Sequence, residues 1–237
     1  MTRCRPRSAS CAIRSRGTTT PAPDETFAPG AAIVALFIHQ EMPVSDAPIS
    51  AFEVPDEAEL PEDIRERILA VQDKAGFVPN VFWVLAHRPA EFRAFFAYHD
   101  ALMEKESGLT KGEREMIVVA TSGINHCLYC VVAHGAILRI REGDPLIADQ
   151  LAVDYRHADI SARQRAMLDF AVQVATASHT VGEAERETLR AHGFSDEDIW
   201  DIGAVAAFFA LSNRMAHVTA MRPNDAFHLM GRQPGEG

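Results

Sequence analysis

The sequence predicts an all-α protein, on three observations. Apolar residues recur at three- and four-residue spacing over residues 62–75 and 89–106, as they do along one face of a helix. Residue patterns typical of helix N-termini occur further along the chain. No comparable run of alternating β-branched residues occurs, so strands are not expected.

The predicted elements follow one another with clear boundaries. Residues 76–80, Gly-Phe-Val-Pro-Asn, form a turn between the first two helices. Residues 110–113 and 161–164 are capping boxes, in which a hydroxyl and a side chain three residues later bond each other's backbone N–H groups. Ser195 begins a further helix, because three acidic residues follow it where the helix dipole favours negative charge.

An internal similarity relates two of these helix starts. A shift of 51 residues lays residues 109–117 over residues 160–168 with cap, arginine and apolar positions aligned. The match predicts an internal duplication of a helical unit. Two good capping boxes ahead of two amphipathic helices also explain the match, so both interpretations stay open.

The N-terminal residues differ from the rest of the chain. Residues 1–41 contain five Arg and three acidic residues, a net charge of +2. Because the whole chain has a net charge of −10, residues 42–237 have a net charge of −12. We expect residues 1–45 to be a disordered extension and residues 46–237 to form the folded domain. The extension is a targeting segment, a secretory signal, or untranslated sequence ahead of a start at Met42, which is the preferred interpretation.

Composition excludes several classes of function. With 47% hydrophobic and 24% charged residues, the chain is typical of a globular protein with a sizeable core. The net charge of −10 argues against nucleic-acid binding. The longest apolar run near the N-terminus is far shorter than the ~20 residues that span a bilayer, so no membrane association is expected.

A cysteine pair carries the chemical signal. Cys127 and Cys130 form a C-x-x-C motif, and Asn125 is predicted to cap the helix that holds both in its first turn. Free N–H groups and the positive end of the helix dipole stabilise a thiolate there and lower the pKa of a cysteine. The pair is therefore predicted to be redox-active rather than inert.

Two further residues are placed to assist the pair. His134 follows Cys130 by four residues and shares its helix face, so it is a candidate proton acceptor. Glu115 lies twelve residues before Cys127 and could orient His134 if the chain folds back at Gly123. Structural zinc is the alternative for this motif, but the fourth ligand is unclear; the scattered candidates are His126, His157 and His179.

With these residues in view, the sequence resembles the AhpD-like superfamily of alkylhydroperoxidases and carboxymuconolactone decarboxylases, in particular its peroxidase-related branch. The pattern E-x11-C-x-x-C-x-x-x-H is matched by Glu115, Cys127, Cys130 and His134. The resemblance covers roughly residues 51–231 and implies an all-α fold of paired helices assembled as a homo-oligomer.

The resemblance also implies roles for these residues. Cys130 would be the peroxidatic cysteine and Cys127 the resolving one, with Glu115 and His134 as their proton relay. The best-studied branch has a histidine immediately before the second cysteine, whereas this chain has Tyr129, so one relay member is missing.

The sequence therefore predicts a thiol-dependent peroxidase that reduces hydroperoxides. An external dithiol protein, thioredoxin-like or lipoyl-bearing, would reduce the pair. No nucleotide, flavin or haem fingerprint is present, so no cofactor and no metal are expected. The alternatives are a redox-sensing or structural oligomer and a carboxymuconolactone-decarboxylase-like enzyme. The cytoplasm is the expected location, because a reducible pair needs a reducing partner.

Overall fold

The protein is described by a computed structural model that covers residues 47–232. The predicted extension, residues 1–45, lies outside this range. The described residues contain ten α-helices and no strand, so the all-α prediction is confirmed. The helices are α1 (Glu62–Ala75), α2 (Asn80–Ala86), α3 (Pro89–Met103), α4 (Lys111–Ile124), α5 (Leu128–Glu142), α6 (Ile147–Asp154), α7 (Ala162–Ala177), α8 (Glu183–Ala191), α9 (Asp196–Val218) and α10 (Ala226–Leu229).

Helix α4 is the centre of the larger hydrophobic core. It packs against α5, α6, α7 and α9. Every residue from Gly112 to Ser122 is buried, so α4 is enclosed on all sides, unlike an amphipathic surface helix. A three-residue connection joins α4 to α5, and the two helices pack together as a hairpin.

A smaller core forms where α1, α2 and α3 meet. Phe82, Phe92 and Phe96 pack there, with ring centroids 4.3 Å apart for Phe82 and Phe96 and 4.6 Å apart for Phe92 and Phe96. Val81 and Phe95 contact both this cluster and the larger core. The boundary between the two cores is where the candidate site lies.

The predicted helix starts are present. The capping boxes at Thr110, Ser161 and Ser195 each have both reciprocal hydrogen bonds. Gly76 ends α1 in the left-handed conformation, at φ 79°, which a glycine adopts without strain. The turn predicted over residues 76–80 is shorter than expected, because Asn80 already begins α2.

Helix α3 ends earlier than predicted. The sequence pattern extended it to residue 106, but the last helical residue is Met103. Beyond the end of the helix, the Lys105 ammonium contacts the buried Asp201 carboxylate of α9, with 2.5 Å between Nζ and Oδ1. Helical periodicity cannot predict this long-range ion pair.

Both halves of the predicted duplication are helical. Hairpin α4–α5 and the segment α7–α8 each follow a capping box. Their second helices differ in length, with fifteen residues in α5 and nine in α8. The duplication itself stays a prediction. No helix in residues 47–232 is long and apolar enough to cross a bilayer.

Two helical glycines provide a test of this packing. A Cβ on Gly123 would lie 2.6 Å from the carbonyl oxygen of Ala152 in α6, whereas a Cβ on Gly203 would meet nothing within 4 Å. We expect Gly123→Ala to lower the free energy of unfolding by about 1–3 kcal/mol through overpacking. The matched Gly203→Ala should raise it by roughly 0.4–1 kcal/mol, because alanine favours the helix. Urea unfolding checks both; equal effects would show that α4 and α6 do not touch at Gly123.

Candidate active site

The cysteine pair lies at the start of α5, but its cap differs from the prediction. Cys127 itself is the N-cap residue, and Cys130 lies in the first turn. Asn125, predicted to be the N-cap, instead ends α4. The chain reverses at His126, whose positive φ of 57° is uncommon for a residue other than glycine.

Asn125 ends α4 because its side chain is used elsewhere. Its amide nitrogen donates to the side-chain oxygen of Asn213 on α9 over 2.9 Å. The Asn213 amide in turn donates to the hydroxyl of Ser122 over 2.9 Å. Asn213 is 1% exposed, so a buried amide of α9 fixes the connection that precedes the cysteines.

The two cysteines differ in acidity. The pKa of the Cys127 thiol is lowered to about 6, chiefly by the hydrogen bond from the Cys130 thiol; burial opposes this effect, and the charge of His217 adds to it. The pKa of the Cys130 thiol is raised well above its usual value by the same hydrogen bond and by burial. The lowered cysteine pKa predicted for the helix start is therefore found for Cys127 and not for Cys130.

The structure brings Glu115 and His134 together. The imidazole Nδ1 of His134 lies 2.7 Å from Oε2 of Glu115, and the side chains are 13% and 9% exposed. The ring of His134 packs edge-to-face against Phe209, with 4.7 Å between centroids. Antiparallel packing in the α4–α5 hairpin brings these two side chains together. Gly123 was expected to allow the chain to fold back, but it instead allows close contact between α4 and α6.

Cys130 and His134 both line a cavity of about 450 Å³, which lies between the two cores. Ser212 of α9 lines it too, with its hydroxyl 3.8 Å from the Cys130 sulfur. Cys127 does not line the cavity. The two sulfurs therefore differ in position as well as acidity: Cys130 faces the cavity, and Cys127 lies behind it.

Tyr129 has a structural role at the same cavity. Its hydroxyl oxygen accepts the backbone N–H of Val81 over 3.1 Å, which ties α5 to the start of α2. Burial raises the pKa of Tyr129, so the phenol stays protonated. The residue at this position cannot exchange protons near neutral pH as a histidine would.

Sequence reasoning missed the polar residues that other helices contribute to the cavity lining. Arg67 of α1 and the neighbouring His99 and Asp100 of α3 line the cavity, as does Ser212. No motif marks these residues, because they come from helices distant in sequence from the cysteines. Only His99 and Asp100, adjacent in the chain, could have been suspected as a histidine–carboxylate pair.

The described residues contain no group of three or more His, Cys, Asp or Glu side chains placed to hold a metal ion. Of the scattered zinc candidates, His126 is exposed, and its carbonyl lies 3.2 Å from Nε2 of His217. His157 pairs with Asp154 over 2.7 Å, at the surface.

Comparison with known proteins identifies the family. The model of the carboxymuconolactone decarboxylase family matches residues 89–145, which run from α3 to α5. A solved structure of an AhpD-core, uncharacterised peroxidase-related protein from Ralstonia eutropha JMP134 is 72% identical. The match covers 79% of this chain and 99% of that one, with a TM-score of 0.79. The chain belongs to the AhpD-like superfamily.

Other members and neighbours show the range of this fold. An uncharacterised peroxidase-related protein from Silicibacter sp. TM1040 is 46% identical over 78% of this chain and 97% of its own, with a TM-score of 0.75. The debrominase Bmp8, solved with 2,3,4-tribromopyrrole, shares the fold at 15% identity over 78% and 95% of the chains, with a TM-score of 0.60. No curated protein sequence matches this chain significantly.

The asymmetry of the pair predicts a titration. The thiolate absorbance of the reduced protein should rise through a pH of about 6, because the Cys127 thiol is protonated below its pKa and ionised above it. Cys127→Ser should remove this step. Cys130→Ala, which removes the donated hydrogen bond, should move it towards the ordinary value of about 8.5. A first step at that ordinary value in the unaltered protein would contradict the assignment.

Proposed function

We propose that this AhpD-like protein is a thiol-dependent peroxidase that reduces organic hydroperoxides. The observation that carries the proposal is that Cys130 lines a cavity beside His134, which Glu115 holds, while its partner Cys127 lies directly behind. A nucleophile, a proton carrier and a resolving thiol are thus within one helix and its hairpin partner. The 72% identical structure of a peroxidase-related protein supports this function.

In the first step, Cys130 is the nucleophile because it is the sulfur that faces the cavity. Its thiol proton passes to His134, whose Nδ1 is held by Glu115 and whose Nε2 is free to take it. The sulfur attacks the distal peroxide oxygen, an S–O bond forms, and the O–O bond breaks. The alkoxide leaves with the electron pair and takes the proton from His134, so thiol and hydroperoxide become sulfenic acid and alcohol.

In the second step, Cys127 resolves the sulfenic acid. In the reduced pair Cys127 is the favoured thiolate, with a pKa of about 6, and this thiolate attacks the Cys130 sulfur once that sulfur is oxidised. An S–S bond forms, the S–O bond breaks, and hydroxide leaves as water after gaining a proton. The acidity of Cys127 thus suits resolution, and the position of Cys130 suits attack on the peroxide.

A dithiol protein, thioredoxin-like or lipoyl-bearing, would return two electrons and two protons to the disulfide in each cycle. We propose a cytoplasmic location on the same ground, since a pair that must be reduced repeatedly needs a reducing compartment. A homo-oligomeric assembly is proposed from the family.

The cavity supports organic substrates rather than hydrogen peroxide alone. Its volume of about 450 Å³ greatly exceeds what two oxygen atoms need, and aromatic rings supply much of its wall. These rings are Phe82, Phe95, Phe96, Phe209 and Phe227. An apolar alkyl or aryl group attached to the peroxide would fill this space and displace water from it.

Carboxymuconolactone decarboxylation is the second candidate, favoured by the family model that matches residues 89–145. Decarboxylation changes no oxidation state at sulfur, so it leaves the adjacent thiols without a role. Release of carbon dioxide from a lactone, undiminished in Cys130→Ser, would select this candidate. A single, slow disulfide formation without turnover would instead select redox sensing.

The decisive experiment is turnover of cumene hydroperoxide with dithiothreitol as the reductant, using the full chain. We expect repeated turnover and a Cys127–Cys130 disulfide in peptide maps. Cys130→Ser should abolish turnover, because no sulfur would face the cavity. In the absence of dithiothreitol, Cys127→Ser should stop after one equivalent of peroxide and accumulate a sulfenic acid that dimedone traps.

The double variant Cys4→Ser/Cys11→Ser is the matched control, because it removes the two remaining cysteines of the chain, which lie outside the described residues. It should turn over like the unaltered protein. Peroxide consumption by Cys130→Ser at the unaltered rate would refute the proposal.

A further inference from the structure

The cavity contains a second carboxylate–histidine pair that the mechanism above does not use. Nδ1 of His99 lies 3.1 Å from Oδ1 of Asp100. The same carboxylate accepts two hydrogen bonds from Nη2 of Arg67, at 3.0 Å and 2.8 Å. All three residues line the cavity together with Cys130 and His134. The cavity thus has an imidazole on α3 as well as one on α5.

The protonation of this pair follows from its partners. Burial acts to raise the pKa of Asp100, but the hydrogen bonds from Arg67 and His99 outweigh it and hold that pKa below its usual value. The carboxylate is therefore ionised and can only accept, so Nδ1 of His99 must carry the proton of their hydrogen bond. Burial lowers the pKa of His99, so the ring is neutral and its Nε2 carries a lone pair.

His99 lines the cavity, and its Nε2 is accessible and has no hydrogen-bond partner among the described residues. The same holds for Nε2 of His134. Both rings pack edge-on against Phe209, with centroid distances of 6.4 Å for His99 and 4.7 Å for His134. Two free imidazole nitrogens therefore border the same space.

During catalysis one imidazole can only donate hydrogen bonds, whereas the other can still accept one. Once His134 has taken the thiol proton, both of its nitrogens are donors, so it can no longer accept a hydrogen bond. A hydroperoxide in the cavity presents an O–H donor, and leaving that donor unpaired in an apolar site is unfavourable. The neutral ring of His99 has the free acceptor that the substrate needs.

We propose that His99 is a second catalytic histidine, whose Nε2 accepts the hydroperoxide O–H and orients the distal oxygen towards Cys130. This inference rests on the proposed function. His99 gains and loses no proton: the peroxide hydrogen stays on the oxygen that becomes the sulfenic acid. The alkoxide still receives the proton that left Cys130, through His134. Asp100 and Arg67 are positioning residues, since they hold the ring and its tautomer.

His99→Asn tests this role with little change elsewhere. The shorter amide keeps a donor near the position of Nδ1 for Asp100 and removes Nε2. Under single-turnover conditions with cumene hydroperoxide, we expect Cys130 oxidation to slow about 100-fold, as expected when a reacting group is no longer oriented. His99→Gln, whose amide oxygen reaches the position of Nε2, should recover part of this rate.

A second readout separates this role from general damage to the site. Methyl methanethiosulfonate modifies thiols but has no O–H or N–H group, so its rate with Cys130 should be unchanged in His99→Asn. The same rate should fall in His134→Asn, because His134 takes the thiol proton. His157→Asn is the matched control: His157 also pairs with an aspartate, Asp154, but its side chain is 86% exposed, and both rates should be unaffected.

Each outcome decides the inference. Slower peroxide reaction with an unchanged thiosulfonate rate supports it. Unaltered peroxide reaction, or equal slowing of both reactions, overturns it while the peroxidase function stands. If neither His99 variant folds, as judged by circular dichroism, the residue is structural and the inference fails. If the unaltered protein shows no turnover, the proposed function fails first, and this inference fails with it.

Discussion

The buried hydrogen bond between Glu115 and His134 is the interaction on which the rest of the site depends. Glu115 lies on α4, which is enclosed by four other helices, so its carboxylate is removed from most of the solvent. An isolated buried charge is too costly to persist, and the imidazole 2.7 Å away is its partner. This requirement holds α5 in register against α4, and Cys130 is one helical turn from His134.

The same hairpin gives the two cysteines different environments. Cys127 ends the connection, where hydrogen bonds and a nearby histidine favour its thiolate. Cys130 enters the helix and faces the cavity, where burial and the neighbouring sulfur favour its thiol. Acidity and access to the cavity are thus divided between two residues.

Local sequence signals predicted the elements and the motif but not the ends of the helices. The capping boxes and the all-α class are local properties, and the structure confirms them. Asn125 was wrongly predicted to cap α5, and α3 was predicted to extend beyond Met103. At both places a side chain near the helix end is bound by α9, through Asn213 or Asp201, and local sequence cannot predict such contacts.

By itself, the sequence determined the helical class, the superfamily and the four residues Glu115, Cys127, Cys130 and His134, because caps and motif spacing are encoded over short stretches. Only the tertiary structure decided which cysteine faces the cavity. It also decided that His99, far from the motif in sequence, borders the same space. Both facts depend on how separate helices pack. The periodic pattern of apolar residues predicts which face of a helix is buried, but it does not predict which polar side chains of different helices come together.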